Sequence, residues 1–153
     1  MNKLVSFVIC IFTLNFISAC SVANYVVDPY TTLDFKVSEN VNPNINGRAS
    51  PVVVRVFELS SRTLFESQDF FTLFDDASGV LGPELISKSE FEFEPGQEYK
   101  HSVSLKPGVR YAGILVAYQD IDNASWREIV EISPTSYSTV TVNVGDLAVF
   151  ISN

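Results

Sequence analysis

From residue 31 onward, apolar and polar residues alternate over short runs separated by Pro, Gly, Asn and Asp, a pattern typical of β-strands. The first run places Leu33, Phe35 and Val37 on one face. The run over 51–59 is apolar on most positions of both faces, which predicts a central strand covered on two sides. About eight such runs, with frequent turns between them, predict an all-β fold, an antiparallel β-sandwich or barrel.

Turn sequences connect the remaining runs. The runs over 90–94 and 99–105 flank Pro95-Gly96, which predicts a β-hairpin. The run over 111–118 is the most apolar in this part of the chain, so we expect it in the middle of a sheet. Three later runs complete the set, over 126–132, 139–144 and 147–151.

One stretch, over 60–81, breaks the alternation. Its phenylalanines and leucines are spaced as on one or two short helices, and Thr63 and Glu66 fit a capping box at the start. The turn-forming sequence over 75–79 is expected to end it. We expect this insert to pack over an open end of the sandwich, and the alternative is an aromatic docking surface.

The N-terminal residues have the order of an export signal. Lys3 precedes an apolar stretch over 4–17 that is too short to span a bilayer stably, and small residues follow it. Cys20 directly after Ser-Ala resembles the bacterial lipobox, in which the cysteine is acylated and becomes the first mature residue. The alternative is a soluble periplasmic protein in which Cys20 merely lies near the cleavage site.

These features divide the chain into three parts. We expect a lipoprotein signal peptide over 1–19, a lipidated tether over 20–30 and a single domain over 31–153. Ser21, rather than aspartate, follows the cysteine, which in enteric-type sorting favours the outer membrane. The only other cysteine, Cys10, lies inside the leader, so no disulfide is expected in the mature chain.

The charge balance argues against two kinds of partner. The sequence has 18 Asp and Glu against 10 Lys and Arg, a formal net charge of -8. An acidic surface argues against nucleic acid and against basic patches that bind anionic headgroups. Membrane attachment is therefore expected to come from the lipid alone.

Candidate catalytic groups are scarce. The only histidine, His101, falls on the apolar face of an alternating strand, which favours a half-buried core residue over a general base. Asp120 and Asp122 have a faint calcium-loop spacing with Glu131, but a hairpin turn explains them better. Since nucleotide and zinc motifs are missing from the sequence, we expect no enzyme, no cofactor and no metal.

The loop between the first two strands, over 41–51, is the distinctive connector. Its two prolines restrict the backbone, while Asn and Gly supply left-handed positions. Such a loop presents side chains at a low ordering cost, although a rigid connector that only sets strand register has the same composition.

Four segments in order, behind the lipobox, make the chain resemble the TssJ lipoproteins of type VI secretion systems. The first is Asn42-Pro43 followed by GRASPVVVRVFEL over 47–59. The others are FESQDFFTLF over 65–74 with LGPEL over 81–85, PGQ over 95–97, and YAGILVAYQD over 111–120 with Trp126-Arg127. Ala49 and Gln119 depart from the residues common in the family.

The resemblance implies a transthyretin-like two-sheet sandwich at the periplasmic face of the outer membrane, with a structural role. It also implies binding to the periplasmic C-terminal region of TssM, and through TssM an indirect link to TssL. The family uses the loop between the first two strands for this contact. The residues that the resemblance assigns to partner binding here are Asn42, Pro43, Asn44, Ile45, Asn46, Gly47 and Arg48.

Two other classes of function remain open from the residues alone. A ligand-binding lipoprotein of the cell envelope would need a concave pocket with converging polar groups. An envelope hydrolase would need a pair of carboxylates with a raised pKa, which sequence cannot locate among the many acidic residues.

Overall fold

A computed structural model describes residues 30–104, 106–133 and 137–152, which form a sandwich of two four-stranded sheets. The strands are β1 (Tyr30–Val37), β2 (Val52–Leu59), β3 (Leu85–Phe93), β4 (Glu98–Ser104), β5 (Tyr111–Ala117), β6 (Arg127–Glu131), β7 (Ser138–Val144) and β8 (Val149–Ser152). Helices α1 (Thr63–Ser67) and α2 (Phe70–Leu81), with a 3-10 turn over Gly82–Glu84, separate β2 from β3. The predicted eight-stranded sandwich with a short helical insertion is confirmed. The expected leader and Cys20 lie outside the described residues.

The strand order is β4-β1-β7-β8 in the first sheet and β3-β2-β5-β6 in the second. Neighbouring strands are antiparallel except β1 and β7, which run parallel. The sandwich is therefore antiparallel as predicted, apart from this one parallel pair. A run with one buried face alternates identically in parallel and antiparallel pairs, so the sequence pattern carries no signal for direction.

The core between the sheets follows the predicted faces. Leu33, Phe35 and Val37 of β1 are buried there, which confirms the first predicted strand. β2 is covered on both faces, since Val54 belongs to this core and Phe57 to a second cluster on the outer side of its sheet. β5 lies between β2 and β6, so its predicted position inside a sheet is also confirmed.

The Pro95-Gly96 turn does not make the predicted hairpin. It leads from β3 in the second sheet to β4 in the first, so the strands it joins face each other across the core. The Phe91 ring packs there at a tilt against the rings of Tyr99 and His101, with centroids 5.1 and 5.0 Å away. The prediction fails because two alternating runs around a tight turn fit a hairpin and a crossover between sheets equally well.

The helical insert packs on the outer face of the second sheet, not over an open end of the sandwich as expected. Phe65, Leu73 and Leu81 are fully buried against Phe57 and Leu115 of that face. The insert closes the second cluster because β2 and β5 are apolar outward as well as inward. Among the described residues, no helix is long and apolar enough to cross a membrane.

Two local predictions for the insert differ from the structure. Thr63 and Glu66 form no capping box, because α1 begins at Thr63 and the Glu84 carboxylate accepts the Leu64 amide instead, at 3.1 Å. The turn expected over 75–79 is present only as a break in α2, since Asp76 has a non-helical backbone (φ -139°, ψ 57°). Helical residues follow the break up to Leu81, whose buried side chain favours extending the helix.

Candidate functional site

The loop over 38–51 is held at its base by residues that point into the sandwich. Val41 is fully buried and the side chain of Asn42 is 3% exposed. The Val41 carbonyl accepts the Ser50 amide at 3.1 Å, so the two limbs of the loop are bonded to each other where they leave the sandwich. This base keeps the outer part of the loop in a fixed position.

Asn42 connects the two limbs of the loop to each other and to two other segments. Its Nδ2 donates to the Pro51 carbonyl at 2.8 Å, and its Oδ1 accepts the Gln119 amide at 2.7 Å. Its own amide donates to the Asp146 carbonyl at 2.9 Å. Asn42 also has a left-handed backbone (φ 50°), which asparagine tolerates better than most residues. Both ends of the side chain are thus used inside the domain, and Asn42 sets the position of its neighbours.

Asn44 shapes the tip of the loop. Its Oδ1 accepts the Asn46 amide at 2.9 Å and the Arg48 amide at 3.1 Å. The Asn44 amide donates to the Arg48 carbonyl at 2.8 Å, which closes a small turn. Gly47 lies in this turn with φ 73°, a conformation that side chains with a Cβ rarely adopt. The backbone of the tip is therefore hydrogen-bonded within the tip itself, and its exposed side chains are left accessible to a partner.

The exposed tip of the loop is made by five residues in a row, Ile45, Asn46, Gly47, Arg48 and Ala49. Ile45 is the extreme case, since its relative exposure of 102% means that no part of the side chain is covered. Pro43 and Asn44 are half-buried beside them. The structure therefore places the seven sequence-predicted residues together, with Asn42 beneath the surface and the others on it.

A cleft of about 380 Å³ lies between the loop and the turn that joins β5 to β6. It is lined by Pro43, Asn44 and Ile45 on one side and by Gln119 and Asp120 on the other. The second wall was not identified from the sequence. Gln119 is brought next to the loop by its hydrogen bond with Asn42, 77 positions away in the sequence. Within the turn, the Asp120 carboxylate accepts both bonds from the Asn123 amide, at 2.9 and 3.1 Å.

Side-chain bonds fasten the neighbouring turns to this end of the sandwich. The Ser38 hydroxyl donates to the Asp146 carboxylate at 2.7 Å, and the Tyr118 hydroxyl donates to the Gly145 carbonyl at 3.2 Å. Burial, with a smaller contribution from the Asp146 carboxylate, raises the pKa of Tyr118. A hydroxyl that stays protonated is a permanent donor, so this link is insensitive to ordinary changes of pH.

Other candidate chemistry does not assemble into a site. In the described ranges, no group of three or more His, Cys, Asp and Glu side chains is placed to hold a metal ion. His101 is half-buried on the inner face of β4, as predicted, and burial lowers its pKa, with partial compensation from Glu58. The Nε2 of His101 and the Oε2 of Glu58 are buried without hydrogen-bond partners among the described residues. They lie in the core, away from the cleft.

Comparison with protein families gives one match over most of the chain. The family described as type VI secretion lipoprotein, with the members VasD, EvfM and TssJ, matches residues 29–147. No curated protein is significantly similar to the chain.

Solved structures give the same result. The T6SS lipoprotein TssJ1 from Pseudomonas aeruginosa is 30% identical with a TM-score of 0.79, over 82% of this chain and 96% of that one. Lip from Serratia marcescens, a membrane-bound component of the type VI secretion system, is 27% identical with a TM-score of 0.75, over 83% of this chain and 98% of that one. A chain in a structure of the T6SS protein TssM C-terminal domain (869-1107) from EAEC is 20% identical with a TM-score of 0.67. That match covers 81% of this chain and 98% of that one, and it shows the fold alone.

Proposed function

Because the chain belongs to the type VI secretion lipoprotein family of TssJ and VasD, we propose that it anchors the membrane complex of such a system to the outer membrane. In this proposal acyl chains on Cys20 hold the domain at the periplasmic face. The loop over 38–51 binds the periplasmic C-terminal region of TssM, and TssM provides the indirect link to TssL. The role is structural, so it requires neither catalysis nor a cofactor.

One observation carries the proposal. The loop exposes Ile45 completely while Asn42 and Asn44 hold its backbone in place. A protein surface that is already ordered loses little conformational entropy on binding, and an exposed apolar side chain gains free energy when a partner covers it. The loop thus has both properties that a docking element needs.

The residues of the loop divide by role in this proposal. Ile45 is the apolar anchor that enters the partner, and Arg48 pairs with a carboxylate or carbonyl beside it. Asn46 adds an exposed amide, and Pro43 forms one wall of the cleft. Asn42, Asn44 and Gly47 are positioning residues, because their bonds and backbone angles hold the other four in place.

Two comparisons support the choice of partner and compartment. One matching chain comes from a structure of the TssM C-terminal domain, and Lip is a membrane-bound component of its secretion system. Both statements belong to those proteins, and we extend them to this chain because the family and the fold are shared.

Binding to TssM is tested by calorimetry with the chain from Ser21 onward and the periplasmic part of TssM from the same organism. We expect saturable binding that weakens at least tenfold in a variant carrying Ile45→Ser and Arg48→Ala. The matched control is Phe71→Ser, which removes a 60% exposed aromatic side chain from the helical insert. Equal losses in both variants would place the contact elsewhere, and no binding by the unaltered chain would reject TssM as the partner.

Anchoring is tested separately by replacing the acylated cysteine. Cys20→Ser should leave a folded domain that no longer fractionates with the outer membrane. Its affinity for TssM should be unchanged, because Cys20 is not part of the loop. A variant that still fractionates with the outer membrane would show that Cys20 is not the anchor.

A further inference from the structure

A pair of exposed aromatic side chains marks the end of the sandwich opposite the 38–51 loop. Tyr30 is 40% exposed and Tyr137 is 48% exposed, and their rings pack edge to face at 5.3 Å with an interplanar angle of 78°. Tyr30 is the first residue of β1 and pairs with Ser104, the last residue of β4. The pair therefore lies where β1 begins, whereas the loop lies where β1 ends.

The proposed tether enters the domain at this pair. Ten residues, 20–29, separate the acylated end from Tyr30 if the chain is processed at Cys20. Ten extended residues span at most about 36 Å. Tyr30 is thus kept within about 36 Å of the acylated residue, and an eight-residue strand of about 26 Å separates this end of the domain from the loop.

The two ends of the sandwich also differ in charge. At the end with the loop, the described segments that join strands contain one basic residue, Arg48, and five carboxylates, Glu39, Glu94, Asp120, Asp122 and Asp146. At the opposite end, the segments outside the helical insert contain the exposed Lys106 and Arg110, with the exposed Glu131 of β6 beside them, and the insert itself has five carboxylates against Arg62. Lys106 and Arg110 are thus the basic groups that this end offers to anionic phosphates, whereas the described connecting segments at the loop end offer only Arg48.

We propose that Tyr30, Tyr137, Lys106 and Arg110 form a membrane-facing surface, which rests on the phospholipid headgroups and points the 38–51 loop into the periplasm. Tyrosine suits this position because its ring is apolar and its hydroxyl is polar, which is why it is enriched at membrane interfaces. The inference rests on the proposed acylation of Cys20. It adds to that anchor a defined orientation of the domain.

Weak contacts are sufficient for this orientation. A short tether converts the contact of the domain with lipid into an intramolecular event at a high effective concentration. Two tyrosines and two basic side chains then need only favour one orientation, since the acyl chains supply the attachment. The surface is accordingly small.

The orientation is tested on the full-length acylated protein in vesicles of phosphatidylethanolamine and phosphatidylglycerol that contain brominated lipid. An environment-sensitive dye is attached to a cysteine introduced by Thr139→Cys, an exposed position on β7 two residues from Tyr137. The matched probe uses Ile45→Cys at the tip of the loop. We expect severalfold stronger quenching of the dye at position 139 than at position 45, and equal quenching would overturn the orientation.

A second pair of variants tests the tyrosines themselves. Replacing both, Tyr30→Ser and Tyr137→Ser, should lower the quenching at position 139 to the level at position 45. Phe150→Ser is the control, because Phe150 is 49% exposed and lies near the opposite end, next to the pair Val144 and Val149. If the double variant keeps full quenching at position 139, the tyrosines do not form the surface.

Flotation of the same vesicle samples separates this inference from the proposed function. Protein that floats with the vesicles but shows equal quenching at both positions overturns the orientation and leaves the acyl anchor intact. Protein that does not float, and whose N-terminal peptide has the unmodified mass, overturns both. If adding the periplasmic part of TssM removes the quenching at position 139, the tyrosine surface binds a protein partner and not lipid.

Discussion

The 38–51 loop and the helical insert over 60–84 both interrupt the run of strands, yet they use apolar side chains in opposite ways. In the loop, Asn42 and Asn44 satisfy the backbone, and Ile45 stands fully exposed at the tip. In the insert, Phe65 and Leu73 are fully buried against the outer face of the second sheet. One insertion presents an apolar side chain and the other removes several from water.

Two arginines show how firmly the insert is attached. Arg127 of β6 donates to the carbonyls of Phe65 and Gln68, at 3.2 and 2.8 Å, where α1 ends. Arg55 of β2 pairs with Glu90, donates to the Phe74 carbonyl and lies 3.9 Å from the centre of the Phe74 ring. At the start of α2, Asp69 accepts the Thr72 hydroxyl and amide, bonds that lower the pKa of Asp69. The comparison teaches that an insertion with buried apolar side chains is structural. An insertion whose backbone is hydrogen-bonded within itself, and whose apolar tip is exposed, is suited to binding.

The largest effect is expected in the insert. Phe65→Ala removes a ring that lies 5.5 Å from the Phe57 ring and packs on Gly113, where any Cβ would approach it to 3.0 Å. The cavity should lower the free energy of unfolding by about 3–5 kcal/mol. Urea denaturation measures this, with Phe71→Ala, at 60% exposure, expected to change stability by less than about 0.5 kcal/mol. Similar losses in the two variants would contradict the structural role of the insert.

The base of the loop should give the next largest effect. Asn42→Ala removes two buried hydrogen bonds and places alanine in a left-handed conformation, so we expect a loss of about 2–4 kcal/mol. Asn46→Ala, at the exposed tip, should leave stability within about 0.5 kcal/mol. Thermal unfolding compares the two. If Asn42→Ala were as stable as Asn46→Ala, the loop would not depend on its anchor.

A smaller effect is expected where the insert is fastened to β6. Arg127→Ala leaves the carbonyls of Phe65 and Gln68 without their donor, which should cost about 1–3 kcal/mol. The control is Arg62→Ala, whose partner Glu66 lies 3.6 Å away on the surface, and which should cost less than about 1 kcal/mol. Proteolysis of the native state adds a local readout, since the insert should be cut faster only in Arg127→Ala. Equal cutting in both variants would argue against this attachment.

The smallest effect is expected for His101, on the inner face of β4. Burial lowers the pKa of His101 below its ordinary value of 6.5, so the unfolded state binds the proton more readily. Stability should therefore fall as the pH drops below about 6.5 toward the folded pKa, and His101→Phe should weaken this dependence. Urea midpoints between pH 7.5 and 5.0 measure the difference. Parallel curves for the two proteins would assign the pH dependence to other groups.

The sequence predicted the fold in outline because alternation records which face of a strand is buried. Leu33, Phe35 and Val37 fall on one buried face, and the doubly apolar run over 52–59 proved to be covered on both sides. The same signal failed at Pro95-Gly96, which leads from one sheet to the other. Turn residues specify a change of direction, and they contain no information about which strand the chain will pair with next.

The candidate site was likewise predicted only in part. The sequence singled out the loop by its two prolines and by the Asn and Gly residues that supply left-handed positions, and the family resemblance assigned it to partner binding. It did not identify Gln119 and Asp120 as the opposite wall of the cleft, because a hydrogen bond between residues 77 positions apart brings them there.

By itself, the sequence determined the strands, the buried faces, the helical character of the insert and the family resemblance, all of which depend on neighbouring residues. Only the tertiary structure decided the parallel pairing of β1 with β7, the placement of the insert on the second sheet, and the opposite positions of the loop and the tyrosine pair. These features depend on which distant segments share a buried surface. That choice is made by the free energy of packing the whole chain, which no local pattern contains.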